Sequence, residues 1–434
     1  MALGVLALLS CLGSAGGGEG GAARQLLDES GVQGGLVVHV GGGSPQRTAA
    51  LRANRRYVVQ ALGRQADRVG VARAFLRRQG LLGPVTAIRW DGKRLPYADS
   101  LVDLLIVEPA EGLPPDEIQR VLAPHGVVWV RSDGEWQKRE KPQPKDIDEW
   151  THFLHAPDNN AVADDTRIGP PRYLQWVAGP RYGRSHDHLA SLSAAVSAAG
   201  RLFYIIDEGP IASVKAPARW MLVARDAFNG LALWRKPIGP WEDHLRPFRS
   251  GPAELPRRLV AVGDRVYVTL GYGKPVTALD AATGEGVRTY EGSENTHEIL
   301  CCDGRLFLVV CDPLKEESPT TGQVLRRFSR WRGAYAEYVV QYPPKHIRVL
   351  DSETGKVAWT KDDEEAERIL PLTLAVAGGR VFFQNPTHLV ALEAASGKVL
   401  WRAERPAVRR RYAWLTPTLV VNDGVVLSAD RSPE

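Results

Sequence analysis

Two histidines and an aspartate form the most compact group of side chains that could bind a metal. His186 and His188 flank Asp187 and follow a basic stretch at Arg181–Arg184. Two imidazoles beside a carboxylate can bind a transition-metal ion. Loop histidines are more often ordinary hydrogen-bonding groups. The segment is therefore either a metal site formed by His186 and His188 or a surface loop whose histidines only form hydrogen bonds.

The four cysteines offer a second chemistry. Cys301 and Cys302 are adjacent in an apolar stretch, and the other two are Cys11 and Cys311. Neighbouring residues of a strand point to opposite faces, so a disulfide between Cys301 and Cys302 needs a strained backbone. The sequence favours two small strand residues over a disulfide but leaves both open. No spacing indicates zinc or a disulfide framework.

Glycines and an acid at the ends of apolar runs form a third group. Gly41 and Gly43 follow the apolar run at residues 36–40, and Asp91 follows the run at residues 85–90. This is the pattern of a buried strand that enters a glycine turn.

The elements around these glycines alternate between strand and helix. Apolar runs predict strands at residues 36–40, 57–59, 85–90, 101–107 and 127–130, and helical patterns predict helices at 67–79 and 114–122. Such alternation is typical of a parallel sheet with helices on its faces. The sequence thus predicts an α/β, Rossmann-like domain over residues 34–131.

This stretch resembles the class I methyltransferases, which bind S-adenosylmethionine. The resemblance implies that Gly41, Gly43 and Asp91 are the remains of the cofactor site. Pro45 falls where the family has its third glycine, Leu62–Arg64 replaces the acid that holds the ribose, and the closing strands of the family are missing. We therefore expect a degenerate domain with a structural role, and we do not expect S-adenosylmethionine to bind.

The remaining chain repeats one pattern. An acid is followed four residues later by glycine and, in three copies, eight residues later by tryptophan. The copies are Asp226, Gly230 and Trp234; Asp280 and Gly284; Asp351, Gly355 and Trp359; and Glu393, Gly397 and Trp401. Each copy follows a hairpin signal such as Gly304–Phe307, and a further hairpin begins near Asp423.

The physical meaning of the repeat is a strand–turn–strand unit. The acid can accept turn N–H groups, the glycine can take the left-handed conformation, and the tryptophan can pack between neighbouring units. The pattern resembles the repeats of PQQ-type β-propellers, which predicts an all-β propeller over residues 191–434. Four blades and the start of a fifth are present, so we expect an incomplete, open arc. Residues 132–190 are predicted to be a linker leading into the propeller.

The propeller resemblance carries its own implications about cofactors. Quinoproteins hold PQQ with Ca²⁺ on the propeller axis, under a disulfide between adjacent cysteines, whereas the related assembly propellers of the outer membrane are not enzymes. The chain shows no catalytic signature, so we expect neither cofactor nor catalysis. PQQ with Ca²⁺ in a quinoprotein-like oxidoreductase is the first alternative, and a methyltransferase is the second.

The N-terminus predicts export. Residues 3–12 form an apolar run of signal-peptide length, and small residues follow, with a predicted cut after Ala15. Cys11 lies in a rough lipoprotein box, which would allow a lipid anchor. The expected location is therefore the periplasm or another extracytoplasmic compartment.

Charge and overall organisation limit the partners. The net charge is +5, but 55 basic residues are mixed with 50 acidic ones and form no basic stripe, so nucleic-acid binding is not expected. The expected function is an exported scaffold that binds a protein, a glycan or an envelope component. The whole-chain pattern resembles large proteins of planctomycete-type bacteria.

Overall fold

The computed structural model describes ten stretches of the chain: residues 18–41, 44–108, 112–167, 169–170, 173–183, 191–212, 216–241, 254–312, 344–407 and 417–430. The chain divides into two compact units. Unit 1 comprises residues 1–147, 165–178 and 225–234, and unit 2 comprises residues 148–164, 179–224 and 235–434. Among the described residues, no helix has both the length and the apolar character needed to cross a bilayer.

Unit 1 contains a six-stranded sheet with strand order β3-β2-β1-β4-β5-β6. Its elements are α1 (Glu19–Ser30), β1 (Gly35–Val40), α2 (Pro45–Ala50), β2 (Tyr57–Gly63), α3 (Ala66–Arg78), β3 (Val85–Arg89), β4 (Val102–Val107), α4 (Pro115–Val121), β5 (Leu122–Ser132) and β6 (Glu135–Glu140). Strands β1 to β5 pair in parallel. The apolar strands β1 and β4 lie at the centre, as expected of strands buried on both faces.

Helices bury both faces of this sheet. Leu27 of α1 and Leu76 of α3 belong to the apolar core on one face. Leu95 and Val121 belong to the core on the other face, together with Val40 of β1. The odd and even residues of β1 therefore enter different cores, which explains its unbroken apolar run.

The expectation that the closing strands are missing is wrong for one strand. Strand β6 pairs antiparallel with β5, so the sheet continues past residue 131, where the predicted domain ends. Five of its six residues are exposed or charged, and none is buried. An exposed edge strand has no apolar alternation to detect, which is why the sequence pattern did not indicate it.

The repeat region forms five antiparallel sheets, here numbered I to V. Sheet I contains β7 (Leu192–Ala198), β8 (Arg201–Asp207), β9 (Trp220–Asp226) and β10 (Ala232–Pro237); sheet II contains β11 (Leu259–Val262), β12 (Arg265–Thr269), β13 (Val276–Asp280) and β14 (Gly286–Thr289); sheet III contains β15 (Thr296–Cys302), β16 (Arg305–Cys311), β17 (Lys345–Asp351) and β18 (Val357–Lys361); sheet IV contains β19 (Ala375–Ala377), β20 (Arg380–Gln384), β21 (His388–Glu393) and β22 (Val399–Glu404); sheet V contains β23 (Thr418–Asn422) and β24 (Val425–Ala429). Each strand pairs with the next strand in the chain. A 3-10 helix (Leu255–Arg258) precedes sheet II, and α5 (Glu364–Glu367) precedes sheet IV.

The turns between third and fourth strands use the acid and the glycine of the repeat. Asp280 Oδ1 accepts the N–H groups of Ala282 and Thr283 at 3.1 and 2.8 Å, and Gly284 has a φ of 73°. Asp226 and Asp351 bond their turns in the same way, whereas the longer Glu393 accepts the Ser396 hydroxyl. The acid and the glycine therefore fix one turn geometry in four sheets.

Sheets II to V pack through apolar cores that consecutive sheets share. Leu300 of sheet III and Phe383 of sheet IV lie in one core. Trp359 at the end of sheet III donates its Nε1–H to Ala394 O in the sheet IV turn at 3.0 Å. Its ring packs so closely on Gly397 that a Cβ there would lie 2.7 Å away. Trp401 at the end of sheet IV is 37% exposed.

Candidate functional site

A single segment of unit 2, residues 149–160, connects the first strands of all five sheets, and we name it the strap. In each sheet the penultimate residue of the first strand donates its backbone N–H to the strap. These bonds are Ser197 to Trp150 O (2.7 Å), Ala261 to Thr151 O (3.0 Å), Cys301 to His152 Nε2 (3.0 Å), Val376 to Pro157 O (2.8 Å) and Val421 to Asp158 O (2.9 Å). The first strand is an edge of its sheet, so without the strap these N–H groups would lack a partner.

Two left-handed residues shape the strap. His155 has a φ of 69° and Asn159 a φ of 64°, a conformation that asparagine tolerates better than most residues. The buried Asn159 side chain donates from Nδ2 to Leu374 O and to Leu419 O at 2.9 and 3.0 Å. Asn159 therefore holds the first strands of sheets IV and V through a side chain as well.

His152 has a fixed protonation state. Its Nε2 accepts the Cys301 N–H, and its Nδ1 lies 2.7 Å from Thr151 Oγ1. Burial and the nearby charge of Arg257 lower the pKa of His152 to about 3. The imidazole is neutral at physiological pH, and its lone pair is already used, so it serves the structure rather than a metal.

The two ends of the strands in unit 2 differ in their connections. Turns from first to second strand are short, as at residues 303–304 and 378–379, and the strap lies at this end. Connections from second to third strand, and from sheet to sheet, lie at the other end, among them the described residues 270–275 and 290–295. We call these the strap end and the loop end. Connecting segments on a rigid scaffold are where binding residues concentrate.

The loop end also carries a group of buried ionisable side chains, which we name the charge cluster. Its members are Glu254, Arg257, His297, Glu298, Cys311 and Lys345, and all but His297 are at most 5% exposed. They come from the 3-10 helix region, from the start of β15, from the end of β16 and from the start of β17. Side chains of this kind are almost never fully buried without a compensating partner.

Arg257 and Glu298 form an incomplete ion pair inside the charge cluster. Arg257 Nη1 lies 4.0 Å from Glu298 Oε2. Glu298 Oε1 accepts the Leu372 N–H at 2.7 Å, and Arg257 Nη2 donates to Leu372 O at 3.4 Å. Arg257 Nε, Arg257 Nη1 and Glu298 Oε2 are buried without a hydrogen-bond partner. Burial raises the pKa of Glu298, and the charge of Arg257 opposes that rise only in part.

The carboxyl edge of the sheet in unit 1 contains a better-paired cluster. His39 is the penultimate residue of β1. Its Nδ1 lies 2.9 Å from Thr48 Oγ1 and its Nε2 lies 3.5 Å from Glu108 Oε1. Arg47 donates to the same Glu108 oxygen, and Arg131 lies 3.9 Å from Oε2. Burial raises the pKa of Glu108, but the hydrogen bond from His39 and the charge of Arg47 lower it by more, to below its ordinary value.

The donor set at this edge does not fit S-adenosylmethionine. Ligands of such folds bind where the chain order of the strands reverses, here at the ends of β1 and β4, and the Arg47–Glu108 pair lies there. Arg64 follows β2, where a ribose would need a carboxylate, and its guanidinium stacks 5.6 Å above Trp90. Gly41 follows β1 with a φ of 97°, and Asp91 is exposed and accepts the Lys93 N–H in a local turn. Gly43 lies outside the described residues.

The remaining candidates from the sequence are distributed as follows. His186 and His188 lie outside the described residues, so their metal binding stays a prediction. Cys301 and Cys302 are free. Cys301 enters the core between sheets II and III, and Cys302 packs toward sheet IV, which matches their reading as strand residues. Within the described part of the chain, no group of three His, Cys, Asp or Glu side chains could hold a metal ion.

Sequence reasoning missed the charge cluster. Its members stand far apart in the chain, and His297 showed no partner within its own segment. The only local signal was the pair of charged residues at the start of an otherwise apolar strand, His297 and Glu298. An apolar strand that begins with buried polar residues indicates a specific partner, but not which one.

Comparisons with known proteins give one family match and several solved structures at TM-scores of 0.23 to 0.24. Residues 219–432 match the PQQ_2 family, described as outer membrane protein assembly factor BamB. No curated protein matches the chain. An S-adenosylmethionine-dependent methyltransferase from Aquifex aeolicus matches with 20% identity over 28% of this chain and 69% of its own, at a TM-score of 0.23.

A second solved structure is similar over the same region. Geranyl diphosphate C-methyltransferase from Streptomyces coelicolor A3(2) matches with 16% identity over 26% of this chain and 45% of its own, at a TM-score of 0.24. The chain spans about half the length of the first solved structures that it matches. Residues 219–432 are thus a BamB-like, PQQ-type repeat domain, and the α/β region has methyltransferase-like neighbours.

Proposed function

We propose that this protein is an exported binding scaffold whose PQQ-like repeat domain is a β-propeller that receives a protein partner at its loop end. The observation that carries the proposal is the difference between the two ends of unit 2. The strap end is closed by short turns and by five hydrogen bonds that backbone N–H groups donate to the strap. The loop end has the longer of the described connections, such as residues 270–275 and 290–295, and the charge cluster.

The strap supports the propeller arrangement. The first strands of consecutive sheets contact one another, and equivalent residues of all five meet one short segment. Sheets that share an inner segment and bury cores between their faces are arranged as the blades of a propeller are. The family description names an assembly factor of the outer membrane, which favours a protein of the cell envelope as partner over a glycan.

The two enzymatic alternatives have less support. A quinoprotein would use the adjacent cysteines as a disulfide lid, and Cys301 and Cys302 are free and enter different cores. A methyltransferase would need a carboxylate at Arg64 and an open carboxyl edge. We propose instead that the α/β region supports the scaffold structurally.

A photo-crosslinker placed at one end of unit 2 at a time tests the binding proposal. Glu294 lies at the loop end between β14 and β15, Asp303 lies at the strap end between β15 and β16, and both are exposed. With p-benzoylphenylalanine in native cells, we expect a defined protein adduct at position 294 and none at position 303. Equal adducts at both positions, or none at position 294, would contradict the proposal.

Export has its own test. The apolar run at residues 3–12 and the small residues after it motivate it. Sequencing of the mature protein from native cells should find residues before about Gly16 removed, or a lipid on Cys11. An intact Met1 in the cytoplasmic fraction would contradict export.

A further inference from the structure

An indole from outside the sheet covers the turn between the third and fourth strands in two of the sheets. Trp176 donates its Nε1–H to Ala227 O at 2.9 Å in the turn of sheet I, as Trp359 does to Ala394 O in the turn of sheet IV. Each ring lies against the glycine of the turn, and in sheet I a Cβ on Gly230 would lie 2.4 Å from Trp176. The acid and glycine turn of the repeat is therefore a surface to which an indole binds closely.

Trp401 is the corresponding indole of sheet IV, and its ring faces sheet V. It stands opposite Ala391 in the register of β21 and β22, and Ala391 belongs to the core that sheets IV and V share. Side chains of directly opposite residues lie on the same face, and the Trp401 ring centroid lies 6.0 Å from that of Phe382 in this core. Among the described residues, sheet V contains two strands where the other sheets contain four. Within this part of the chain, no turn covers Trp401, and its Nε1–H has no acceptor.

The backbone of β24 is open for pairing on one side. The Val421 N–H donates to Asp158 O of the strap, so Val421 and Val426 form a pair of β23 and β24 that is not hydrogen-bonded. The N–H and C=O groups of Val426 and Ser428 therefore point away from β23. From that side Arg405 Nη2 donates to Ser428 O at 3.2 Å. A third strand can pair with β24 there, as third strands pair with second strands in the other sheets.

The composition of β24 is that of an inner strand. The outer strands of sheets I to IV each contain a charged residue, such as Arg288 in β14 and Lys361 in β18. The pairing of the outer strand also shifts register in sheets II to IV. Charges and bulges protect the edges of sheets from further pairing. Strand β24 has neither, and its Val425 and Leu427 are 65% and 58% exposed.

We propose that Trp401 and the outward side of β24 form a docking surface for a β-hairpin that another polypeptide supplies, with an acid and a glycine four residues apart in its turn. The surface continues the interface between sheets IV and V. The first strand of the hairpin pairs with β24, and its turn covers Trp401 as the turn of sheet IV covers Trp359. Main-chain hydrogen bonds give affinity to such strand addition, and side-chain contacts give specificity. This surface is separate from the loop end.

The test uses the full chain and a fluorescein-labelled peptide with the sequence of residues 388–404, which form the third and fourth strands of sheet IV. A disulfide between cysteines added at the two ends of the peptide holds its hairpin, because an isolated hairpin is marginally stable in water. Fluorescence anisotropy should show saturable binding of one peptide per chain.

A matched peptide tests the contact between turn and indole. The substitution Gly397→Val adds a side chain where the contact with an indole leaves no room for a Cβ. This peptide should bind at least about tenfold more weakly than the parent peptide. No saturable binding of the parent peptide, or equal affinities of the two peptides, would overturn the proposal.

Variants of the chain locate the binding. Val426→Pro removes an N–H that points away from β23, a position where an edge strand tolerates proline, and Trp401→Ala removes the indole. Each should weaken binding of the parent peptide at least about tenfold. Val287→Ala alters another exposed apolar residue of an outer strand and should leave the affinity unchanged. Undiminished affinity in folded Trp401→Ala or folded Val426→Pro would overturn the proposal.

Sedimentation equilibrium of the chain without peptide tests the other possible occupant, a second copy that pairs through its own β24. Such a copy offers a strand to β24 but no turn to Trp401. We therefore expect a monomer at micromolar concentration, and the same mass for Val426→Pro. A dimer that Val426→Pro dissociates would show that β24 pairs with itself, and this would overturn the proposal.

Discussion

Each unit buries a glutamate beside an arginine, and the two glutamates differ in how fully they are paired. In unit 1, Glu108 has cationic or imidazole partners for both oxygens. In unit 2, Glu298 faces Arg257 across 4.0 Å, and one of its oxygens has no hydrogen-bond partner. The pKa of Glu108 is lowered, and that of Glu298 is raised.

The difference in pairing decides how much free energy the burial of each carboxylate costs the folded protein. A well-paired buried carboxylate repays much of its desolvation, whereas an incomplete pair does not. Unpaired polar atoms in a core require a reason, such as a bound water, a ligand or a role in reactivity. Because the charge cluster lies at the loop end, it is the better candidate for function.

The largest expected effect comes from removing the arginine of the incomplete pair. Arg257→Met removes from the buried Glu298 the cation that lowers its pKa most, ahead of Lys345, and this should cost about 3–5 kcal/mol of the free energy of unfolding of unit 2. Urea unfolding followed by tryptophan fluorescence measures it. Arg201→Met breaks the more exposed pair with Asp264, at 3.2 Å, and should cost under about 1 kcal/mol.

A double variant sharpens the same result. Arg257→Met with Glu298→Leu replaces the pair by apolar groups, and it should recover most of the lost free energy. Equal costs for Arg257→Met and Arg201→Met would show that the cluster is not effectively buried.

The strap should be the next most sensitive part of unit 2. Asn159→Ala removes two buried hydrogen bonds, each contributing about 0.5–1.5 kcal/mol, and puts alanine in a left-handed conformation. We expect a loss of about 2–3 kcal/mol in urea unfolding. The side chain of its neighbour Asn160 donates to the exposed Asn422 side chain, so Asn160→Ala should change stability by less than about 0.5 kcal/mol. A neutral Asn159→Ala would mean that the strap does not hold sheets IV and V.

The two glutamates should give pH dependences of opposite sign. Glu108 has a lowered folded-state pKa, so its stabilisation is present above the unfolded pKa and is lost as pH falls through the folded value. Glu298 has a raised folded-state pKa, so its contribution is present below the unfolded pKa and is lost as pH rises through the folded value.

Glutamine variants measure these slopes. Relative to the parent, Glu108→Gln should lose stability as pH rises from 4 to 8, and Glu298→Gln should gain it. Unfolding free energies at several pH values provide the comparison. If the unfolding free energies of the two variants, each relative to the parent, changed with pH in the same direction, the opposite pKa shifts of Glu108 and Glu298 would be contradicted.

The smallest expected effect is the response of unit 1 to S-adenosylmethionine. Arg64 and the Arg47–Glu108 pair occupy the carboxyl edge, so we expect no detectable heat in titration calorimetry. A dissociation constant in the micromolar range, about −8 kcal/mol, would show that the edge is a working cofactor site and not a structural one.

Local patterns in the sequence predicted the elements of both regions. The apolar runs gave strands β1 to β5, and the acid and glycine spacing gave the turns, because both depend on residues near each other in the chain. Strand β6 and α1 were not predicted, since β6 is exposed and α1 buries only Ala23, Leu26, Leu27 and Ser30.

The candidate site depends on contacts between distant residues, which no local pattern encodes. Glu254 and Arg257 come from the 3-10 helix region and His297 and Glu298 from β15, and their ion pairs at 3.6 and 4.0 Å form only where these two elements pack together. The same holds for the strap. Its polar residues resembled a linker, and only the structure shows that its acceptors match one position in five sheets.

The strap restricts how this repeat domain can change by duplication. Its acceptors run in the same order as the sheets, from Trp150 for sheet I to Asp158 for sheet V. A gene segment encoding one more repeat, inserted between two of these sheets, would shift every later sheet to the wrong acceptor. Repeat number in this part of the protein is therefore tied to the length of a segment that the chain makes before sheets I to V.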